Sequence, residues 1–173
     1  MKKYFIGLLF TTLFLARSNA QHCEYDFAAI IVVKPTTGSS DSLIKGLQIT
    51  LLDSTGKIYK EVWHNDTLFF WQNPERTTQT GYIDNNNPLR PEKIRFPFAK
   101  NNYVVVCDRQ IAYAKMKIKI EDTDGIKNGG EFLTQVISIK PEDVFPLCTE
   151  HSDWKRNKDF KYEHTINVSL NKK

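Results

Sequence analysis

The sequence predicts an all-β protein, a single antiparallel β-sandwich of about eight strands that follows an N-terminal signal peptide. The first observation is that apolar and polar residues alternate along several short segments, which is the period of a half-buried strand. The second is that apolar residues after position 20 nowhere recur at the spacing of an amphipathic helix. Short strands separated by turn residues favour a sandwich over a barrel.

The first 20 residues have the three parts of a secretory signal. Two lysines precede an apolar stretch at 4–16, and Ser18 and Ala20 supply the small residues of a cleavage site. A stretch of about 13 apolar residues falls short of the about 20 that span a bilayer, and no later segment is apolar for longer. We therefore expect cleavage after Ala20 and a mature chain, 21–173, that a bacterium exports to the periplasm or secretes, with no transmembrane segment.

The charge balance bears on the class of partner. The chain has 24 basic and 20 acidic residues, and three of the basic ones lie in the leader, so the mature chain is nearly neutral. No basic run exceeds two residues. A nucleic-acid binder needs concentrated positive charge to displace counterions from phosphates. Nucleic acid is therefore excluded, and a protein or glycan ligand is expected.

The three cysteines all lie in the mature chain. Export to an oxidising compartment allows one intramolecular disulfide and leaves one thiol over. Cys107 shares a face of a predicted strand with Tyr103 and Val105, where it would be a small buried apolar residue. The pair Cys23 and Cys148 is therefore favoured, although the sequence alone leaves the pairing open.

Strand periodicity is clearest at 160–170, where aromatic and aliphatic residues alternate with polar ones. Residues 115–120 alternate in the same way, and residues 28–33 are apolar on both faces, as expected of a strand that is covered on each side. Residues 53–56 (DSTG) form a short polar loop and predict a hairpin. The other predicted strands lie at 47–52, 58–63, 67–71, 103–107 and 131–139.

Two segments break the strand pattern. Residues 72–93 contain three prolines and a run of three asparagines, which predicts a long surface loop. Residues 141–159 hold Pro146 and mixed charges, and we expect an irregular stretch there with one short helical turn. The remaining length suits one domain, 21–173, with a hydrophobic core.

Three segments resemble, in order, the strands and turns of transthyretin-like, carboxypeptidase-regulatory-like (prealbumin-like) domains. They are residues 32–38 (VVKPTTG), residues 44–53 (IKGLQITLLD) followed by Gly56, and residues 102–106 (NYVVV). The resemblance covers roughly 32–108. It implies a transthyretin-like sandwich, where the strand pattern alone allows an immunoglobulin-like one as well. It also implies a domain that supports, attaches or binds without catalysis.

The loop at 120–131 is a candidate calcium site. Its oxygen-bearing side chains fall at positions 3, 5, 9 and 12 of an EF-hand-like loop, with Gly125 at position 6. Position 1 is Ile120, and strand patterns flank the loop where an EF-hand has helices. We therefore expect a hairpin loop rich in turn residues, with calcium as the alternative and no other cofactor. If calcium binds, the ligands are Asp122, Asp124, Asn128 and Glu131.

Two tryptophans are candidate ligand-stacking residues. Trp71 ends a predicted strand beside the long loop, and Trp154 lies in the second irregular stretch. Tryptophan is often partly exposed, and its ring stacks on sugars and peptides. The neighbouring Phe69 and Phe70 are expected in the core.

No catalytic site is predicted. Cys107 or Cys148 with one of the four histidines would make a thiol nucleophile, but no local signature surrounds either cysteine. His164 lies on the apolar face of the last strand, where we expect a hydrogen-bonded core histidine. The expected function is a non-enzymatic exported binding or interaction module. The alternatives are a calcium-stabilised carbohydrate-binding module and a hydrolase or thiol enzyme with an unrecognised site.

Overall fold

The computed structural model describes residues 28–38, 40–60, 67–73, 95–124, 130–148 and 160–173. These residues form strands and short 3-10 turns without an α-helix, so the all-β prediction is confirmed. No helix among them is long and apolar enough to cross a membrane. The predicted signal peptide lies outside them. The strands are β1 (Ala28–Thr37), β2 (Ser40–Leu43), β3 (Leu47–Leu52), β4 (Trp71–Gln72), β5 (Tyr103–Asp108), β6 (Lys117–Asp122), β7 (Gln135–Ser138), β8 (Phe145–Pro146) and β9 (Thr165–Leu170).

β1 is the central strand of the larger sheet because both of its edges are paired. One edge carries β5 and then β2, and the other carries β8 and then β9. All side chains from Ala28 to Val33 are buried, which confirms a strand that is covered on both faces. The strand runs four residues further than predicted, to Thr37.

β9 pairs with β1 in parallel, which corrects the purely antiparallel arrangement that was predicted. The other ladders are antiparallel. β9 follows β8 along the same edge of β1 in the opposite direction, and the connection at 147–164 gives the chain enough length to turn round. Alternation along β9 predicts which face is buried, but it carries no information on the direction of the neighbouring strand.

The smaller sheet has the order β3, β6, β7, and it meets the larger sheet on two sides. On one side Phe69 pairs with Thr50 of β3, just before β4 joins β5. On the other side Phe132 pairs with Lys172, just beyond β9. The two sheets therefore curl into a half-barrel.

The core has two parts, which lie on opposite faces of β1 and β5. The interior of the half-barrel holds one face of these strands, with side chains of the smaller sheet and of β9 packed against it. The outer face is covered by side chains from segments outside the ladders, around Phe96 and Leu147. Alternate residues of β1 divide between the two parts: Ala29, Ile31 and Val33 point inward, and Ala28, Ile30 and Val32 point outward.

Four predicted strands are shorter in the structure. Of the one at 67–71, Thr67 and Phe69 form isolated pairs, and only Trp71 joins a ladder, in β4. The one at 131–139 is reduced to β7, and the one at 160–170 begins only at Thr165, because its first part packs aromatic rings instead of joining a ladder. Of the one at 58–63, Ile58 and Lys60 form isolated pairs, and 61–66 lie outside the described residues.

The turns agree with the sequence where they are described. The carboxylate of Asp53 accepts hydrogen bonds from the backbone and the hydroxyl of Thr55 at 2.8 and 2.7 Å, which lowers its pKa. Gly56 has φ 88°, a left-handed conformation that favours glycine. The short helical turn that was predicted after 141 is a 3-10 turn, Pro141–Asp143. Most of the predicted long loop, 74–94, and the stretch 149–159 lie outside the described residues.

Candidate functional site

The candidate calcium loop connects β6 to β7, which are antiparallel neighbours. Asp122 ends β6, and its Oδ2 accepts hydrogen bonds from the backbone N–H groups of Glu131 at 2.6 Å and Phe132 at 3.0 Å. This carboxylate therefore ties the two ends of the loop together. That role is what the turn interpretation of the sequence expects.

Asp122 and Asp124 share a hydrogen bond between their side chains. The hydrogen bond that the Asp124 carboxyl donates to the Asp122 carboxylate is the main cause of a raised pKa at Asp124. Burial acts to raise the pKa of Asp122, but its hydrogen bonds outweigh burial and lower it. Two glycines with positive φ, Gly46 and Gly130, allow this close approach, since a Cβ on either would overlap one of the carboxylates.

Glu131 joins this pair only through its backbone. Its side chain forms an ion pair with Lys172 at 3.3 Å, and both groups are exposed. Asn128 lies outside the described residues. Within the described ranges, no three His, Cys, Asp or Glu side chains are grouped to hold a metal ion. The structure thus brings together Asp122 and Asp124 of the predicted set, and the calcium site stays a prediction.

The cysteines offer no available thiolate in the described part of the chain. Cys107 is free and fully buried on the inner face of β5, where its thiol lies 3.7 Å from the carbonyl oxygen of Ala29. Burial, and then the charge of Asp108, raise the pKa of the Cys107 thiol. Cys148 is disulfide-bonded. Cys23 lies outside the described residues, so its pairing with Cys148 stays a prediction.

His164 is held by its surroundings. Its Nδ1 lies 2.6 Å from the carbonyl oxygen of Glu142, to which the ring N–H donates. The ring also packs against Phe145 and Tyr162, with centroids 5.3 and 5.6 Å away. The histidine is therefore hydrogen-bonded, as predicted, but it is half-buried on the outer face and does not belong to the core.

A cluster of aromatic rings on the outer face of the larger sheet is the most distinctive feature that the sequence analysis missed. The members are half-buried and contact one another, and we call them the ring cluster: Phe98, Phe145, Phe160, Tyr162 and His164. Phe98 stacks on Tyr162 with the ring centroids 4.9 Å apart and the planes 29° apart. Phe145 meets Tyr162 edge to face at 5.3 Å. Both geometries are favourable for aromatic pairs.

The ring cluster rests on a buried base. Phe96, which is fully buried, lies 5.7 Å from Phe98 between ring centroids. The outward side chains of β1 and β5 lie beneath it. The one sequence signal was that aromatic residues occupy the apolar positions at 160–162, but that signal does not show which other segments supply rings.

Asn73 fixes the segment that carries Phe96 and Phe98. Its side chain is 1% exposed, donates from Nδ2 to the carbonyl oxygens of Phe96 and Lys100, and accepts from the Phe96 N–H at 2.9 Å. Its backbone N–H donates to the carbonyl of Asn102 at 2.8 Å. The sequence placed Asn73 in a surface loop and gave no sign of this role.

The tryptophan predictions have separate outcomes. Trp71 lies in β4 opposite Val104, is half-buried, and packs against both parts of the core. Its Nε1 is buried without a hydrogen-bond partner among the described residues. Trp154 lies outside those residues. Phe70 is buried as predicted, but Phe69 is 49% exposed, because successive residues of an extended segment point to opposite faces.

Comparison with known proteins adds no assignment. Neither family models, curated proteins nor solved structures gave a match to this chain.

Proposed function

We propose that this chain is a non-enzymatic exported binding module and that the ring cluster is its ligand-contacting surface. The observation that carries the proposal is a group of five adjacent half-buried rings on a rigid sheet. Partly exposed aromatic faces contribute contact area to a ligand at little cost in conformational entropy. Contiguous apolar surface of this kind marks interaction sites.

The cysteines support two parts of the proposal, namely that the chain is exported and that it is not an enzyme. A disulfide at Cys148 is typical of a protein exported to an oxidising compartment, in agreement with the leader at 1–20. The buried thiol of Cys107, with its raised pKa, argues against thiol catalysis because the thiolate is the nucleophile. The transthyretin-like sandwich implied by the resemblance belongs to the same proposal, since such domains support, attach or bind.

The polar contacts around the ring cluster support a preformed surface. Asn73 holds the segment of Phe98, and the bond from His164 to Glu142 holds two more segments in register. A surface that is ordered before binding avoids the cost of ordering its side chains on contact.

The test is binding of the mature chain to glycan and peptide arrays, followed by titration of the best ligand. Phe160→Ala should weaken binding about tenfold or more, because it removes one contact ring while leaving the β9 ladder intact. The matched control is Phe69→Ala, which removes an exposed ring outside the cluster. Absence of array binding, or equal losses in the two variants, would contradict the ring cluster as the binding surface.

A second candidate is a calcium-stabilised carbohydrate-binding module. The half-buried rings of the cluster favour it, since aromatic rings that are partly exposed suit sugars. The metal would be held near Asp122 and Asp124. Here we expect calcium at millimolar concentration to raise the thermal unfolding midpoint of the wild-type chain but not of Asp124→Asn. An unchanged midpoint in the wild type would exclude this candidate.

A further inference from the structure

Within the described part of the chain, the half-barrel is open between β7 and β9. The segment just before β7 runs antiparallel to the segment just after β9, as the pairing of Phe132 with Lys172 and the 2.9 Å bond from the Leu133 N–H to the Asn171 carbonyl show. At the other end, His164 meets Glu142. Between these two contacts the described strands form no ladder with each other. We call this gap the seam.

The edge of β7 presents unpaired backbone groups to the seam. The N–H of Ile139 donates to the carbonyl of Met116, so the backbone N–H and C=O groups of the odd-numbered residues in this strand point towards β6. Backbone groups of an antiparallel strand alternate in direction, and those of Val136 and Ser138 therefore face the seam. They have no hydrogen-bond partner within the described part of the chain.

The edge of β9 is covered by side-chain amides where a strand would otherwise pair. Asn167 Nδ2 donates to the carbonyl of Thr165 at 3.2 Å. Across the seam, Gln135 Nε2 donates to the carbonyl of Ser169, also at 3.2 Å. These carbonyls are thus bonded to exposed side-chain amides, which a backbone N–H can replace. Native proteins protect open strand edges by devices of this kind.

The floor of the seam is apolar. Ile137 of β7 and Ile166 of β9 are half-buried and pack against the interior of the half-barrel. Val136, on the other face of β7, is 54% exposed. A strand placed in the seam would alternate its side chains between the isoleucines and solvent, as all strands do.

We propose that the seam accepts an extended peptide segment of a partner protein by β-strand addition. The occupant has apolar residues at alternate positions, which cover Ile137 and Ile166, and its backbone pairs with Val136 and Ser138 on one side and with β9 on the other. Only an extended backbone offers hydrogen bonds along two edges at once. The contacts that bound the seam lie at His164 and Asn171, and the six residues between them leave room for about six residues of a peptide at about 3.3 Å each. This site is separate from the ring cluster.

The probe is a fluorescein-labelled heptapeptide of alternating threonine and valine, titrated into the wild-type mature chain. We expect saturable binding, and a control peptide that is N-methylated at alternate residues should bind about tenfold more weakly, which corresponds to about 1.4 kcal/mol. The peptide should also slow hydrogen exchange at the amides of Val136 and Ser138. Unsaturable binding at millimolar peptide, or equal binding of the methylated control, would overturn the proposal.

Variants of β7 locate the site. Val136→Pro removes one N–H that faces the seam without touching the β6 ladder and should weaken binding about tenfold, whereas Val136→Thr keeps that N–H and should bind as the wild type does. Gln135→Ala frees the carbonyl of Ser169 and should strengthen binding severalfold. If Val136→Pro does not fold, the methylated peptide and hydrogen exchange on the wild type decide the matter.

Two further outcomes distinguish this proposal from ligand binding at the ring cluster and from self-association of the chain. Phe160→Ala should leave binding of the heptapeptide unchanged, so that failure of the ring cluster and failure of the seam are distinguishable. Sedimentation should show a monomer. A dimer that Val136→Pro dissociates would assign the seam to a second copy of this chain and overturn a foreign peptide as its occupant.

Discussion

Replacement of Asn73 by aspartate should destabilise the protein, although the two side chains have the same shape. The carboxylate still accepts from the N–H of Phe96, but it cannot donate to the carbonyls of Phe96 and Lys100. Those carbonyls would instead face a carboxylate oxygen in a site that is 1% exposed. The substitution therefore changes two hydrogen bonds into two repulsive contacts.

The size of the effect follows from the two lost donations. Each of the two lost hydrogen bonds contributes about 1 kcal/mol. The Phe96 carbonyl still accepts from the Ala99 N–H at 2.9 Å, so only the Lys100 carbonyl is left unpaired, which costs about 1 kcal/mol more. We therefore expect a loss of about 3 kcal/mol in the free energy of unfolding. The loss should shrink at low pH, because a protonated carboxyl can donate once. A buried carboxylate beside carbonyl oxygens has a raised pKa, so this recovery should begin above the ordinary range of aspartate.

Urea unfolding measures this loss as a lower midpoint with an unchanged slope. The control is Asn101→Asp, which adds the same charge to the turn that Asn73 contacts, at a partly exposed side chain. We expect less than about 0.5 kcal/mol from the control. A loss below about 1 kcal/mol at Asn73, or equal losses at the two sites, would refute the conclusion that the hydrogen bonds of the Asn73 side chain stabilise the fold.

Four further outcomes follow, three from buried groups and one from a residue with a positive φ. Tyr103→Phe should lower the free energy of unfolding by about 1–3 kcal/mol, because the Tyr103 hydroxyl accepts from the buried Leu47 N–H at 3.0 Å. Tyr162→Phe should be neutral or stabilising, because the buried Tyr162 hydroxyl has no partner among the described residues. Urea unfolding of the two variants compares these effects. Burial raises the pKa of Tyr103 above 10.0, so stability present below pH 10 should fall as pH rises further, and less steeply in Tyr103→Phe. Native Cys107 should resist iodoacetamide until the chain unfolds, and mass spectrometry that found rapid native labelling would contradict its burial. Lys100→Gly should raise the free energy of unfolding by up to about 1 kcal/mol, because Lys100 has φ 52°, a conformation that strains a residue with a Cβ. A lower urea midpoint in this variant would argue against strain.

Alternation in the sequence predicted the strands whose neighbours lie on both sides. β3 has the predicted bounds, and Cys107 shares the inner face with Tyr103 and Val105 as predicted. The reason is that period-two patterning reports which side chains meet the core. It does not report which strand lies alongside, and the parallel pairing of β9 could not be predicted for that reason.

The ring cluster and the seam could not be predicted because each depends on residues that are far apart in the chain. Phe98 and Phe145 each look like ordinary apolar residues in an irregular segment. Asn73 looks like a loop residue until the carbonyls around it are known. The open edge of β7 depends on which strands fail to pair, and a single sequence carries no signal for an absent partner.

The two faces of β1 and β5 differ in what covers them. The inner face packs against side chains of the smaller sheet and of β9, which are held in ladders. The outer face is covered by three segments, and each is held by one kind of polar or covalent tie: the Asn73 amide, the disulfide at Cys148 and the bond from His164 to Glu142. Phe98 and Phe160 of this cover lie outside the ladders, so substitutions there leave every ladder pair in place. Local opening of the cover should cost less than unfolding of the interior, because fewer buried contacts are lost. We therefore expect substitutions of these two rings to lower the free energy of unfolding less than substitutions on the inner face.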